Sequence, residues 1–198
     1  LEEGHEVVCM VRDERRFALE TDFGDKVQII TGDLLKPKSL KSIPADIDAA
    51  YYLVHSMSGS GKDFVALELQ SAQNFVKAIQ LTNCNQLIYL TGIANDESLS
   101  KHLNSRLAVE EELKSSGIPY TILRAAIIIG SGSASFEIIR DLAEKLPVMV
   151  APKWVRTRCQ PIGIRDVLAY LSGVLANKKA NNEVFDIGGP DILTYKQM

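Results

Sequence analysis

A strand, a helix and a second strand follow one another within residues 86–130, and this stretch most constrains the fold. Residues 86–92 form a short apolar run that ends in a small residue, as a buried parallel strand does. Residues 98–116 carry leucine and valine at helical spacing, and Gly117 supplies a C-terminal cap. Residues 120–130 form a second apolar run. Such a β-α-β unit predicts a parallel sheet covered on both faces.

Strands and helices alternate along the rest of the chain. The predicted strands are 5–12, 27–33, 48–55, 148–152 and 183–190, and the predicted helices are 37–43, 64–80, 136–145 and 167–176. This alternation is typical of a doubly wound α/β fold with a mostly parallel, Rossmann-like sheet. The chain has 198 residues, 46% of them hydrophobic, so we expect one α/β domain over 1–198 with a single sizeable core.

The two ends of the chain suggest that elements are cut there. Residues 1–4 look like the last turn of a helix with Gly4 at its cap, and Met198 follows what looks like the start of another helix. A natural domain rarely opens on the final turn of a helix. We therefore expect truncation at both ends, with a first strand and most of a helix belonging before Leu1.

Composition limits the partners. The net charge is −3 and the sequence pI is about 5.7, which predicts no nucleic-acid partner. No apolar run approaches the roughly 20 residues that span a bilayer, and no signal peptide is visible. The three cysteines are widely spaced, which favours reduced core residues over a disulfide or a metal site. We predict a soluble cytoplasmic protein with a small-molecule substrate, no membrane partner and no metal.

In parallel sheets, ligands bind beyond the carboxyl ends of the strands. Arg12, followed by Arg15 and Arg16, ends the first strand, where an arginine suits the 2′-phosphate of NADP and an acidic residue suits NAD. The alternative is a solvated charge run. Asp33, which ends the second strand, suits the adenine amino group, although Gly-Asp is also an ordinary turn.

Eight motifs resemble the short-chain dehydrogenase/reductase superfamily, specifically its atypical, NmrA-like branch. They are Gly4–Val7, Val11–Asp13, Thr31–Leu34, Tyr52–Ser56, Leu90–Gly92, Ser116–Arg124, Asp166–Leu168 and Phe185–Pro190. The resemblance spans nearly the whole chain. It implies an NAD(P) site, with NADP favoured over NAD, that uses Arg12, Asp33, Leu34, Val54, His55, Thr91 and Arg106.

Two departures from the family pattern bear on activity. The first is that the glycine-rich phosphate loop of the family, which would precede Leu1, is not in this sequence. Active members also carry Tyr-x-x-x-Lys on the helix after Thr91, and this spacing here reads His102 to Arg106, followed by Glu110. A histidine exchanges protons near neutral pH, and an arginine donates hydrogen bonds without losing its proton. The alternative is that His102 and Arg106 are a solvated helix face.

The resemblance implies an NADPH-dependent oxidoreductase acting on a small carbonyl or enone. Thr91 would hold the substrate oxygen, His102 would donate the proton and Arg106 would fix the ribose. One alternative is a non-catalytic NADP(H)-binding regulator or redox sensor, which the replaced Tyr and Lys favour. A further alternative is a nucleotide-sugar epimerase or dehydratase, which also relies on the Tyr/Lys pair.

Overall fold

The computed structural model describes residues 3–17, 26–54, 63–93, 101–130, 140, 156–195 and 197–198. The predicted strand 148–152 and nearly all of the predicted helix 136–145 lie outside these residues. Every other predicted element has a counterpart within them.

Ten strands and three helices are described. The strands are β1 Val7–Val11, β2 Val27–Thr31, β3 Ala49–Tyr52, β4 Gln86–Gly92, β5 Tyr120–Ala125, β6 Ile128–Ile129, β7 Arg158–Cys159, β8 Ile162–Gly163, β9 Glu183–Ile187 and β10 Leu193–Thr194. The helices are α1 Asp63–Ile79, α2 Lys101–Lys114 and α3 Ile164–Val174, with short 3-10 helices at Glu14–Arg16, Pro37–Ser42 and Lys178–Ala180. None of the described helices combines the length and apolar character that crossing a bilayer requires.

The sheet is mostly parallel, as predicted. β3, β4, β5 and β9 form a four-stranded parallel sheet in that order, and β1 pairs with β2 in parallel. A short parallel pair, β6 with β8, and a short antiparallel pair, β7 with β10, complete the described strands. The usual doubly wound order is 3-2-1-4-5-6. Among the described residues the strands form two separate parallel sheets, β2-β1 and β3-β4-β5-β9, and within each of them the strands that follow one another along the chain are neighbours, as they are in each half of that order.

Residues 120–130 form two strands, so the prediction of one continuous strand is wrong. The β5 ladder with β4 ends at the pair Gly92–Ala125. Ile129 then pairs with Gly163 of β8, after Ile127 O accepts the Ile162 N–H at 2.9 Å. Within the described residues, the chain therefore pairs with β4 up to Ala125 and with β8 from Ile128.

Helices cover both faces of the central sheet. Leu87 and Tyr89 of β4 point into a core cluster shared with α1 and α2, whereas Ile88 and Leu90 point into a second cluster with α3. Alternate residues of a strand face opposite sides, so a strand buried on both faces is continuously apolar. This explains why the β4 segment carries no polar alternation and confirms the doubly wound architecture.

A buried glutamine fastens α3 to the start of β4. The Gln86 Nε2 atom donates to the Val174 carbonyl at 2.9 Å, and the Ala176 N–H donates to Gln86 Oε1 at 2.8 Å. Ala176 lies in the left-handed region with φ of 56°, where the helix ends. The amide therefore satisfies polar backbone groups at the C-terminus of α3, which would otherwise be buried unpaired.

Candidate functional site

Several of the predicted site residues lie at or just beyond the carboxyl ends of parallel strands. In the β1–β2 pair, Val11 faces Thr31, so Arg12 and Gly32 follow at the same end. Leu34, just beyond β2, packs in the same core cluster as Tyr52 at the end of β3. The two parallel sheets therefore share one core at the edge where ligands bind in folds of this type.

Arg12 differs from the neighbouring Arg15 in its surroundings. Arg15 forms two side-chain hydrogen bonds to Asp13, Nε at 3.0 Å and Nη2 at 3.1 Å, and its guanidinium is thus occupied. Arg12 is exposed and forms no ion pair within the described part of the chain. Of these two arginines, Arg12 is therefore the one available to a phosphate.

Asp33 and Leu34 have different roles in the turn after β2. Asp33 Oδ1 accepts the Leu35 N–H at 3.0 Å, and Lys36 Nζ lies 3.8 Å from Oδ2. Leu34 is 6% exposed and belongs to the core, and its carbonyl accepts from Asn74 at 2.6 Å. Asp33 can therefore still contact a ligand with its half-buried carboxylate, whereas Leu34 can offer only its backbone N–H.

Apolar surface follows the end of β3. Leu53 is 52% exposed and Val54 is 46% exposed. These exposed side chains can pack against a flat apolar ring system, and the use of Val54 by a cofactor stays a prediction. His55, the next residue of the prediction, lies outside the described residues.

Thr91 presents a buried hydroxyl at the carboxyl end of β4. The residue is 5% exposed, and its Oγ1 forms no hydrogen bond of good geometry with any described residue. An unsatisfied buried hydroxyl is destabilising and rare in folded proteins. Its presence at a strand end indicates a polar group that a ligand would satisfy.

Arg106 lies over the last residue of the same strand. A Cβ built on Gly92 would lie 2.5 Å from Arg106 Nη1, so the guanidinium occupies the space that a side chain would fill. His102 is the second residue of α2, and its side chain is outside the described part. Because His102 and Arg106 are four residues apart, they share one face of α2. The structure thus places the Arg106 guanidinium beside Gly92, the residue that follows Thr91.

The same face of α2 carries a buried acid that sequence reasoning did not place in the site. Glu110 is 1% exposed and accepts two hydrogen bonds from Arg124, Nε at 3.0 Å and Nη2 at 2.6 Å. Lys114 Nζ lies 2.7 Å from Glu110 Oε1. Burial raises the pKa of Glu110, but these hydrogen bonds outweigh it and hold that pKa below its ordinary value. Arg124, a charged residue within the mostly apolar β5, is the sequence signal that could have revealed this network.

A second buried polar contact joins the two helices. Ser105 Oγ donates to Glu68 Oε2 at 2.5 Å, and both residues are buried. Ser105 precedes Arg106 on α2, and Glu68 lies on α1. This hydrogen bond fixes α2 relative to α1 and so helps to hold Arg106 over Gly92. The sequence did not predict the burial of Glu68, because a single glutamate in an amphipathic helix usually lies on the exposed face.

A comparison with protein families identifies a matching domain. The family model described as NAD(P)H-binding matches residues 1–146 of the chain. This range includes β1 to β5, helices α1 and α2, and every residue of the predicted site.

The photosystem II assembly factor Ycf39 of Cyanophora paradoxa is 25% identical over 194 residues, which cover 96% of this chain and 57% of the relative. The chain therefore spans a little over half the length of that curated relative. The triphenylmethane reductase of Citrobacter sp., complexed with NADP(H), has a TM-score of 0.72 at 20% identity, over 96% of this chain and 63% of that one. The UDP-glucuronic acid 4-epimerase of Bacillus cereus, in complex with NAD, has a TM-score of 0.66 at 20% identity, over 88% and 64%. At these identities the structural likeness shows the fold.

Proposed function

Since this chain belongs to the NAD(P)H-binding family and has the fold of the short-chain dehydrogenases/reductases, we propose that it is an NADPH-dependent oxidoreductase acting on a small carbonyl or enone. The observation that carries the proposal is the Oγ1 of Thr91, which is buried at the carboxyl end of β4 and has no hydrogen-bond partner among the described residues. With Arg106 beside it over Gly92, this hydroxyl fits a site built for a ribose and a substrate oxygen.

The preference for NADPH rests on the end of β1. Arg12 is exposed and unpaired within the described residues, and a guanidinium is well suited to bind a phosphate through two hydrogen bonds. Asp33 would bind the adenine amino group, and Val54 would pack on the adenine ring. Leu34 would contribute its backbone N–H, and His55 remains the predicted fifth contact.

When bound, the nicotinamide cofactor supplies the hydride for carbonyl reduction. Thr91 donates a hydrogen bond to the carbonyl oxygen and so stabilises the negative charge that develops there. His102 is the proton donor, because its ordinary pKa lies near neutrality. Arg106 cannot give up its proton, so it binds and orients the ribose.

The second candidate is a non-catalytic NADP(H)-binding regulator. The replacement of the usual tyrosine and lysine by His102 and Arg106 favours it. The match to a relative named as an assembly factor also supports a role without turnover. In this case the same residues would bind the cofactor, and the bound state would alter a contact with another molecule.

Titration of the full-length protein with NADPH and NADH, followed by a panel of small aldehydes, ketones and enones, separates the candidates. NADPH binding with oxidation of NADPH on part of the panel supports the oxidoreductase. Tight NADPH binding without turnover on any member supports the regulator. Failure to bind either cofactor in the full-length protein would contradict both.

A further inference from the structure

Tyr89 lies directly behind Thr91 in the core. The two residues are two positions apart on β4, so their side chains point to the same face of the sheet. Tyr89 is 2% exposed, and its ring packs edge-on against Tyr52 with centroids 5.6 Å apart. This packing holds the Tyr89 ring in one position beneath the candidate site.

Charged and polar neighbours act on the Tyr89 hydroxyl. Burial raises the pKa of Tyr89, whereas the Thr91 hydroxyl and the Arg106 guanidinium lower it; the carboxylates of Glu68 and Glu110 raise it further. The net effect is a raised pKa, so the phenol keeps its proton at neutral pH. Tyr89 is therefore a neutral hydroxyl that lies close to both Thr91 and Arg106.

The neighbours also indicate the direction in which this proton points. Arginine offers donors only, so the phenol cannot donate its proton toward Arg106. Thr91 Oγ1 is buried and has no hydrogen-bond partner within the described residues, so it is available to accept the phenol proton of Tyr89.

We propose that Tyr89 is a positioning residue for Thr91: its phenol donates to Thr91 Oγ1 when the site is occupied, which leaves the Thr91 proton for the substrate oxygen. The inference rests on the proposed function, in which Thr91 holds that oxygen. A threonine hydroxyl has one proton and two acceptor lone pairs, so a fixed donor behind it decides where that proton points. Tyr89 itself does not touch the substrate.

The test is Tyr89→Phe in the full-length protein, which keeps the ring and removes the hydroxyl. We expect kcat on the best carbonyl substrate to fall about tenfold, the effect of one hydrogen bond, and the Kd for NADPH to change less than about twofold. The matched control is Tyr52→Phe, which removes the hydroxyl of the neighbouring buried tyrosine and should leave kcat unchanged. Equal effects of the two variants would overturn the assignment.

A double-mutant cycle distinguishes positioning from general packing. In a Thr91→Val background, Tyr89→Phe should cause no further loss of kcat, because the group that it positions is gone. A second, independent loss of about tenfold would overturn the proposal.

Wild type, Tyr89→Phe, Thr91→Val and the double variant also separate this inference from the proposed function. A wild-type protein that turns over no substrate contradicts the oxidoreductase, and the hydrogen bond is then measured by thermal unfolding with NADPH bound. The summed losses of Tm from Tyr89→Phe and Thr91→Val should exceed the loss in the double variant by about 2–4 °C. Strictly additive losses would show that the two hydroxyls do not interact.

Discussion

Glu110 and Arg124 form a two-point ion pair that joins α2 to β5 beneath the candidate site, with N···O distances of 3.0 and 2.6 Å. The Glu110 side chain is 2% exposed and the Arg124 side chain is 25% exposed. Such geometry holds both side chains in place, and it ties the helix that carries Arg106 to the sheet that carries Thr91.

Removing the acid should destabilise the fold. We expect Glu110→Gln to lower the free energy of unfolding by about 3 kcal/mol, because the partly buried Arg124 cation loses its nearest counter-charge and keeps only Asp186, whose Oδ1 lies 4.0 Å from Arg124 Nη1. The control is Glu111→Gln on the same helix, whose exposed side chain pairs with Lys114 at 3.0 Å and should matter by less than about 0.5 kcal/mol. Urea unfolding measures both. A loss for Glu110→Gln no larger than that of the control would contradict a structural role for the pair.

The same acid predicts a pH dependence of stability. The pKa of Glu110 is lower in the folded protein than its ordinary value, so the folded state holds on to this proton less than the unfolded state does. Its contribution is complete above the ordinary glutamate pKa of about 4.3 and is lost as the pH falls through the lower folded value. The difference in unfolding free energy between wild type and Glu110→Gln should be constant from neutral pH to about pH 5.5 and should shrink below about pH 4. A difference that grows on acidification would show the opposite shift.

Gly92 should be required for cofactor binding. A methyl group there would lie 2.5 Å from Arg106 Nη1, so Gly92→Ala displaces the guanidinium. We expect the Kd for NADPH to rise about fivefold to tenfold, the loss of one hydrogen bond to the ribose, with little change in stability. The control is Gly173→Ala in α3, where a Cβ meets no atom within 4 Å. That variant should stabilise the helix by about 0.5–1 kcal/mol and leave NADPH binding unchanged. Unaltered NADPH binding in Gly92→Ala would remove Arg106 from the proposed site.

Cofactor choice should depend on Arg12. We expect Arg12→Ala to weaken NADPH about 10- to 100-fold, the value of charge-assisted hydrogen bonds to a phosphate, and to affect NADH only slightly. Arg15→Ala is the control, because this guanidinium is occupied by Asp13. Isothermal titration with both cofactors measures the change. Equal weakening of NADPH and NADH in Arg12→Ala would end the argument for a 2′-phosphate contact.

Turnover should depend on His102. If this histidine gives the proton, His102→Ala should lower kcat by at least about 100-fold and leave the Kd for NADPH nearly unchanged. Asn104→Ala, an exposed position on the same helix, serves as the control. Steady-state assays on the best carbonyl substrate give the comparison. Normal turnover in the His102 variant would assign the proton to another group.

Much of the fold could be read from the chain because burial leaves a local pattern. The β4 segment was placed at its observed limits, and Gly117, the predicted cap after α2, lies in the left-handed region with φ of 77°. The apolar run over 120–130 predicts one strand where the structure has two, because an apolar run does not reveal where a strand changes partners. Arg12, Asp33 and Thr91 could be chosen as strand-end residues, since ligands gather at that edge of a parallel sheet.

The sequence by itself determined the alternation of strands and helices and the positions at which strands end, because periods of 2 and 3.6 residues are properties of neighbouring positions. Only the tertiary structure decided which side chains meet there. It buries Thr91 Oγ1 with no hydrogen-bond partner in the part of the chain that is described, places Arg106 over Gly92 and pairs Glu110 with Arg124. These contacts join residues on separate elements, so they depend on how helices pack on the sheet, which no local pattern encodes.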